Sequence, residues 1–115
     1  MDIKNITDAS GDLIVQLSGE MDALGCSQIR KELETLAQQT HSHTLLDINN
    51  INFIDSSGIG AIVFLFKRLK EQGRTLEIIG VQGQPQELMK LLRIDSAIPL
   101  THANNMTQHQ EHSYG

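Results

Sequence analysis

The sequence predicts an α/β domain built on a mixed sheet of four or five strands, flanked by three or four helices. Three observations carry that prediction. Two short segments, Asp2 to Thr7 and Asp12 to Leu17, flank the turn-forming Ala9-Ser10-Gly11, the pattern of an opening hairpin. Further on, two mostly apolar runs, Thr44 to Ile48 and Thr75 to Ile79, bracket a stretch in which Ile59, Ile62, Val63, Phe66 and Leu69 recur at offsets of three and four, as on a helix face pressed against a core. A strand–helix–strand unit of that length implies a parallel crossover, right-handed in nearly all known cases. At 115 residues the chain holds one core and one domain.

In the second predicted strand Leu13, Val15 and Leu17 alternate with Ile14, Gln16 and Ser18, so one side is expected to be buried. It exits through Gly19-Glu20-Met21-Asp22. A helix is expected over about Leu24 to Gln39, burying Ile29, Leu33 and Leu36 and solvating Arg30, Lys31, Glu32 and Glu34. Thr40-His41-Ser42-His43 is a polar connection whose two histidines lack further ligands at metal-site spacing. The strand at Thr44 to Ile48 reads as covered on both sides, and Asn49-Asn50-Ile51-Asn52 as a connection. The second helix is expected to run to about Gln72 and to stop at Gly73 in a left-handed cap, with Lys67, Arg68 and Lys70 complementing its dipole. After the strand at Thr75 to Ile79, Pro85 suits the start of a third helix burying Leu88, Leu91 and Leu92. Ile94 to Leu100 is expected as a short edge strand limited by Pro99. The domain is expected to span residues 1–101, and residues 102–115 to form a polar tail or marginal helix with solvated His102, His109 and His112.

Composition narrows the function. A net charge of -5 argues against a phosphate-backbone binder, and three Phe, one Tyr and no Trp leave few stacking platforms for single-stranded nucleic acid. The single cysteine, Cys26, fits a reducing compartment and reads as a small buried hydrophobe on a helix. The start Met-Asp-Ile-Lys lacks a signal-peptide pattern, and no run approaches the ~18 apolar residues of a membrane span. These readings point to a cytoplasmic protein with no direct membrane insertion.

The most informative stretch is Asn52-Phe53-Ile54-Asp55-Ser56-Ser57-Gly58-Ile59-Gly60, where a strand ends and a helix begins. Asp55 and the serines make good helix caps, since their oxygens accept bonds from unpaired N–H groups. Capping alone does not explain Gly58 and Gly60, each costing about 1 kcal/mol against alanine in a first helical turn. Their small size would let another protein approach Ser56 and Ser57 closely.

Phe53-Ile54-Asp55-Ser56-Ser57-Gly58-Ile59-Gly60, preceded by Gly19-Glu20-Met21-Asp22, resembles the anti-sigma factor antagonists, the stand-alone members of the STAS domain family, over roughly residues 3 to 100. The resemblance implies a STAS-like layout with the serine loop exposed at one end of the sheet. It places the phosphorylated serine at Ser56, with Ser57 in the neighbouring serine-or-threonine position. The implied partners are an anti-sigma factor with serine kinase activity and a resetting serine/threonine phosphatase. The unmodified protein would bind the anti-sigma factor and free the sigma factor, and phosphate on Ser56 would break the complex. At a helix N-terminus that phosphate would be tolerated by the domain itself.

Rival chemistries fare poorly. A nucleophile elbow needs glycine two residues before and after its serine, whereas Ser56 has Ile54 and Gly58, and Ser57 has Asp55 and Ile59. Gly58 and Gly60 imitate half a dinucleotide fingerprint, but Val63 stands where the third glycine belongs. Asp22 and Asp55 could be read as an acid–base pair; their simpler roles are a strand exit and a cap, and the resemblance implies a recognition surface for both. No enzyme activity and no cofactor are expected. The alternative within the same family is a STAS adaptor subunit that binds the ATPase of a lipid-transport ABC complex, which needs no phosphorylation; a scaffold in a stress-sensing assembly is a third.

The second helix carries more apolar surface than one core face needs. Ala61, Phe64 and Leu65 fall off the stripe, so at least one of Phe64 and Leu65 is expected to be exposed beside Ser56. The expected partner surface is Asp22, Asp55, Ser56, Ser57, Gly58, Gly60, Phe64 and Leu65.

Overall fold

The structure, a computed structural model, describes residues 1–39 and 41–102. The opening hairpin pairs β1 (Asp2–Thr7) antiparallel with β2 (Leu13–Met21). Its turn is held by the Asp8 carboxylate, which accepts the N–H groups of Ser10 and Asp12 at 2.9 and 3.0 Å and the Ser10 hydroxyl at 2.7 Å. Those bonds favour the ionised form and hold the Asp8 pKa below its ordinary value. The order then runs α1 (Ala23–Gln38), β3 (His43–Ile54), α2 (Ser56–Glu71), β4 (Thr75–Val81), α3 (Gly83–Leu91), a 3₁₀ turn at Ile94–Ser96, and β5 (Leu100–His102). The expected tail lies outside the described residues from 103 onward, and His102 itself ends β5.

The five strands lie in sequence order, β1-β2-β3-β4-β5, with every neighbour after the hairpin parallel. Three crossovers of one hand stepping in one direction place their helices on one face of the sheet. Burial follows that rule. Val15, Leu46 and Ile78 stand in register across three strands and are almost fully buried, whereas Ile14, Leu45 and Glu77, one residue along, are half-exposed. The expectation that Thr44 to Ile48 is covered on both sides is therefore corrected. Sequential strand order leaves the second face without helices.

Other boundaries shift for local reasons. β3 continues through Asn49 to Asn52, because β2 carries on beside it: Ser18 pairs with Asn50 and Met21 with Ile54, across register shifts at Gln16/Ser18 and Gly19/Glu20. The α2 stripe is rotated from the expected one, burying Gly58, Ile62, Leu65 and Leu69. In α3 the core residues are Pro85 and Met89, while Leu91 and Leu92 are 77% and 48% exposed and Leu88 is half-buried. The chain past α3 forms the 3₁₀ turn, entered through Arg93 at φ 56°, so the edge strand begins only at Leu100. Gly73 adopts φ 71° just past α2, as expected of a left-handed cap.

One buried cation fastens the end of the sheet remote from the serine corner. Arg74 is 8% exposed. Its Nε donates to the His41 carbonyl at 2.6 Å, Nη1 to the Ala37 carbonyl at 3.2 Å and to Gln72 Oε1 at 2.8 Å, and Nη2 to the Leu36 carbonyl at 3.2 Å. The guanidinium thus adds donors to last-turn carbonyls of α1, where Leu36 also accepts the Gln39 N–H and Ala37 also accepts Gln72 Nε2, and burial pulls its pKa down. Substitution Arg74→Met leaves the His41 carbonyl without its donor and removes the second donors of Ala37 and Leu36, and should cost about 1–3 kcal/mol in urea unfolding. Arg74→Lys should restore less than half of that, because an ammonium cannot reproduce the planar fork.

Candidate functional site

Two strand-to-helix corners make the site. Met21 and Ile54 are partners in the parallel β2–β3 ladder, so both chains leave the sheet at the same level. Asp22 then caps α1, accepting the Gly25 N–H at 2.8 Å, and Asp55 caps α2, accepting the Ser57 and Gly58 N–H groups at 2.8 and 3.3 Å. Both caps have extended backbones, as N-cap residues do. The corners are joined directly, since the Asp55 N–H donates to the Met21 carbonyl at 3.3 Å.

The corners share a pattern that the reading of the sequence missed, Asp22-Ala23-Leu24-Gly25 and Asp55-Ser56-Ser57-Gly58. In each, the glycine three residues after the cap packs against a strand end. A Cβ at Gly25 would lie 2.0 Å from the Glu20 carbonyl oxygen; at Gly58 it would lie 2.4 Å from Ile54 Cγ1 and 2.6 Å from the Met21 carbonyl oxygen. Gly58 is therefore buried, and its place in the expected partner surface is corrected. The space it leaves is filled by this chain's own β2 and β3. Gly60 differs, being exposed with nothing within 4 Å of a built Cβ.

Ser56 is the first residue of α2 and is exposed; Ser57 is half-buried. Between α1 and α2 runs a groove of about 410 Å³ lined by Ala23, Cys26, Ser57, Gly60, Ala61 and Phe64, with Arg30, Leu33 and Glu34 on the α1 side. Phe64 is 39% exposed and lies under the Arg68 guanidinium, 5.4 Å from the ring centroid. Leu65 is 1% exposed. The expectation that at least one of the two is exposed holds through Phe64, and Leu65 is corrected to the core, because it lies seven residues beyond Gly58 on the face that α2 presses inward. Leu24, at 68% exposure, and Phe53, at 41%, are exposed hydrophobics that the expected surface omitted. Each stands two residues from a cap aspartate in sequence, which is the signal that could have found them.

The charge at this end is legible in Cys26. Its thiol is half-buried at the groove, and its pKa is raised by burial first, then by the Asp55 and Asp22 carboxylates, with Arg30 opposing. Asp22 and Asp55 thus act on one locus. Each is also fully explained as a cap, and no bond joins their carboxylates among those of the described residues. Those residues contain no cluster of three His, Cys, Asp or Glu placed to hold a metal, and no helix long and apolar enough to cross a membrane.

The two glycines separate packing from access. Gly58→Ala should destabilise by about 1–3 kcal/mol, as overpacking against backbone does. Gly60→Ala should leave stability unchanged or raise it by up to about 1 kcal/mol. Thermal unfolding of the two variants reads the difference.

The family model described as "STAS domain" matches residues 3–107. The "Anti-sigma F factor antagonist" of Paenibacillus polymyxa is 29% identical over 91 residues, covering 78% of each chain. The "Anti-sigma-B factor antagonist" of Bacillus subtilis strain 168 is 29% identical over 83 residues, covering 72% of each. Among solved structures, the Bacillus cell fate determinant SpoIIAA in its phosphorylated form superposes with a TM-score of 0.67 at 14% identity, over 96% of this chain and 100% of that one. At that identity the superposition shows the shared fold alone.

Proposed function

The chain belongs to the STAS domain family, and from that membership we propose that it is an anti-sigma factor antagonist controlled by phosphorylation of Ser56. The observation that carries the reading is an exposed serine at the first position of α2, directly after its Asp55 cap and beside a groove rimmed by exposed apolar side chains. The names of the two curated relatives and the phosphorylated form of SpoIIAA support it. The protein acts by binding, without chemistry of its own. Its partner in the cytoplasm is an anti-sigma factor that carries a serine kinase site, and a serine/threonine phosphatase resets it.

The unmodified corner offers Ser56, Ser57, Gly60 and Phe64, with Asp22 and Asp55 behind them. Docking excludes the sigma factor from the same partner. The partner's ATP then supplies the phosphoryl group to the Ser56 hydroxyl, adding about -1.5 to -2 charge at pH 7. The first free donors of α2 are already taken, since Asp55 holds the Ser57 and Gly58 N–H groups. The phosphate therefore shares a favourable dipole with a like-charged neighbour, and the two effects offset within the domain. Against a partner, desolvating a dianion beside Asp55 is unfavourable, and the complex separates.

The test is a pull-down with wild type and with Ser56→Asp, followed by incubation of the retained partner with wild type and ATP and mass-spectrometric site mapping. Phosphate is expected on Ser56, with affinity for the partner reduced at least tenfold, or about 1.4 kcal/mol, and thermal stability shifted by less than about 1 kcal/mol. Phosphate on Ser57 alone or on neither serine refutes the assignment, and equal affinity of the two forms refutes the switch.

The role of Asp22 is separable. Asp22→Ala loses the α1 cap and should cost about 1 kcal/mol of stability, while Asp22→Asn keeps a capping oxygen and removes the charge. Weakened partner binding by Asp22→Asn at unchanged stability marks Asp22 as part of the recognition surface; unchanged binding confines it to capping.

A further inference from the structure

β3 outlasts its neighbour on one side. The β3–β4 pairing runs only from His43↔Thr75 to Asp47↔Ile79, so the stretch leading to the serine corner has no strand on that edge. The backbone groups of Ile54 are nonetheless satisfied there. Gln84, in the first turn of α3, accepts the Ile54 N–H through Oε1 at 2.8 Å and donates to the Ile54 carbonyl through Nε2 at 2.8 Å. One carboxamide thus supplies the acceptor and the donor that a neighbouring strand would supply. Gln82 adds a second rung, donating from Nε2 to the Asn49 carbonyl at 2.9 Å.

The position of this clamp gives it a function. Ile54 immediately precedes the Asp55 cap, and Ser56 follows. On the opposite edge Asp55 is tied to the Met21 carbonyl. The strand end is therefore held from both sides, by β2 on one and by a side chain of α3 on the other. We infer that Gln84 is a positioning residue, fixing the Ile54 peptide groups so that Asp55 and the Ser56 hydroxyl are presented in one orientation to a kinase active site. This rests on the reading of Ser56 as the phosphoacceptor. Phosphoryl transfer depends on placing the attacking oxygen, and misplacement by about 1 Å can cost 10²-fold in rate.

Gln84→Met keeps the length of the side chain and removes both bonds. Amide hydrogen exchange at Ile54 is expected to accelerate at least tenfold, with the core amides of Val15 and Ile78 unchanged. With the kinase captured in the pull-down and ATP, kcat for Ser56 is expected to fall about tenfold while KM for the protein substrate stays within twofold. Gln84→Glu adds a readout that loss of packing would not move. Ionised, its carboxylate still accepts the Ile54 N–H but repels the Ile54 carbonyl, so only one of the two bonds is lost. Ile54 amide protection, corrected for intrinsic exchange, should therefore stay well above that of Gln84→Met at neutral pH in Gln84→Glu, where the acceptor remains.

Unchanged Ile54 exchange in Gln84→Met overturns the clamp. Faster exchange with a wild-type kcat overturns the positioning role while leaving Ser56 as the phosphoacceptor. Wild-type protein that takes no phosphate on Ser56 overturns the phosphoacceptor reading, and the positioning role with it.

Discussion

The parallel pairing of β2 with β3 is the constraint on which the working end of this protein depends. Because Met21 and Ile54 stand opposite each other, two helices start side by side at one level of the sheet. Each must begin within van der Waals contact of a strand end. That proximity demands glycine at the third helical position, since a Cβ at Gly25 or Gly58 would sit well inside the contact distance to a carbonyl oxygen. The short spacing from cap to glycine is therefore a packing requirement. It leaves the first two helical positions, Ala23 and Leu24 on α1 and Ser56 and Ser57 on α2, to face outward or into the groove.

Most of the architecture was legible in the sequence because its signals are local and repeated. Alternation at Leu13, Val15 and Leu17 and the offsets at Ile29, Leu33 and Leu36 need only the period of an element, and these residues are buried as expected. What escaped depends on tertiary neighbours. Leu65 and Met89 are core residues because of how α2 and α3 are rotated, which periodicity fixes only loosely when apolar residues exceed one face. Asn49 to Asn52 are in a strand because β2 runs beside them, against the low strand propensity of asparagine. Gln84 and Arg74 carry long-range bonds spanning 30 to 38 residues of sequence, and no local pattern announces them.

At the candidate site, the aspartate, the serine and the direction of the helix were legible, while the purpose of the glycines was only half so. Gly60 is open, as a recognition surface requires, and Gly58 is closed. Two glycines two residues apart in one turn thus answer to different constraints, one set by this chain and one left open. The exposed Leu24 and Phe53 stand two residues from the cap aspartates without having stood out in the sequence, since a lone exposed hydrophobe is ordinary.

Under the proposed switch, the electrostatics of that corner would let a small covalent change there act without remodelling the fold. Each helix N-terminus carries a partial positive charge of about half a unit, and each is met by a full carboxylate, Asp22 or Asp55. The end of the domain is thus mildly negative at rest; burial first, and then both aspartates against Arg30, raise the Cys26 thiol pKa there. A phosphate on Ser56 would multiply that negative charge severalfold at a point where the nearest helix donors are already engaged. Backbone bonds at Met21, Ile54 and Asp55 hold the corner from β2 and from Gln84, so the added charge has little freedom to relax inward. Its field is directed to whatever is docked outside. Under the proposed switch, a corner held in this way would convert a local charge into a change in affinity, where a loose one would absorb it as a change in shape.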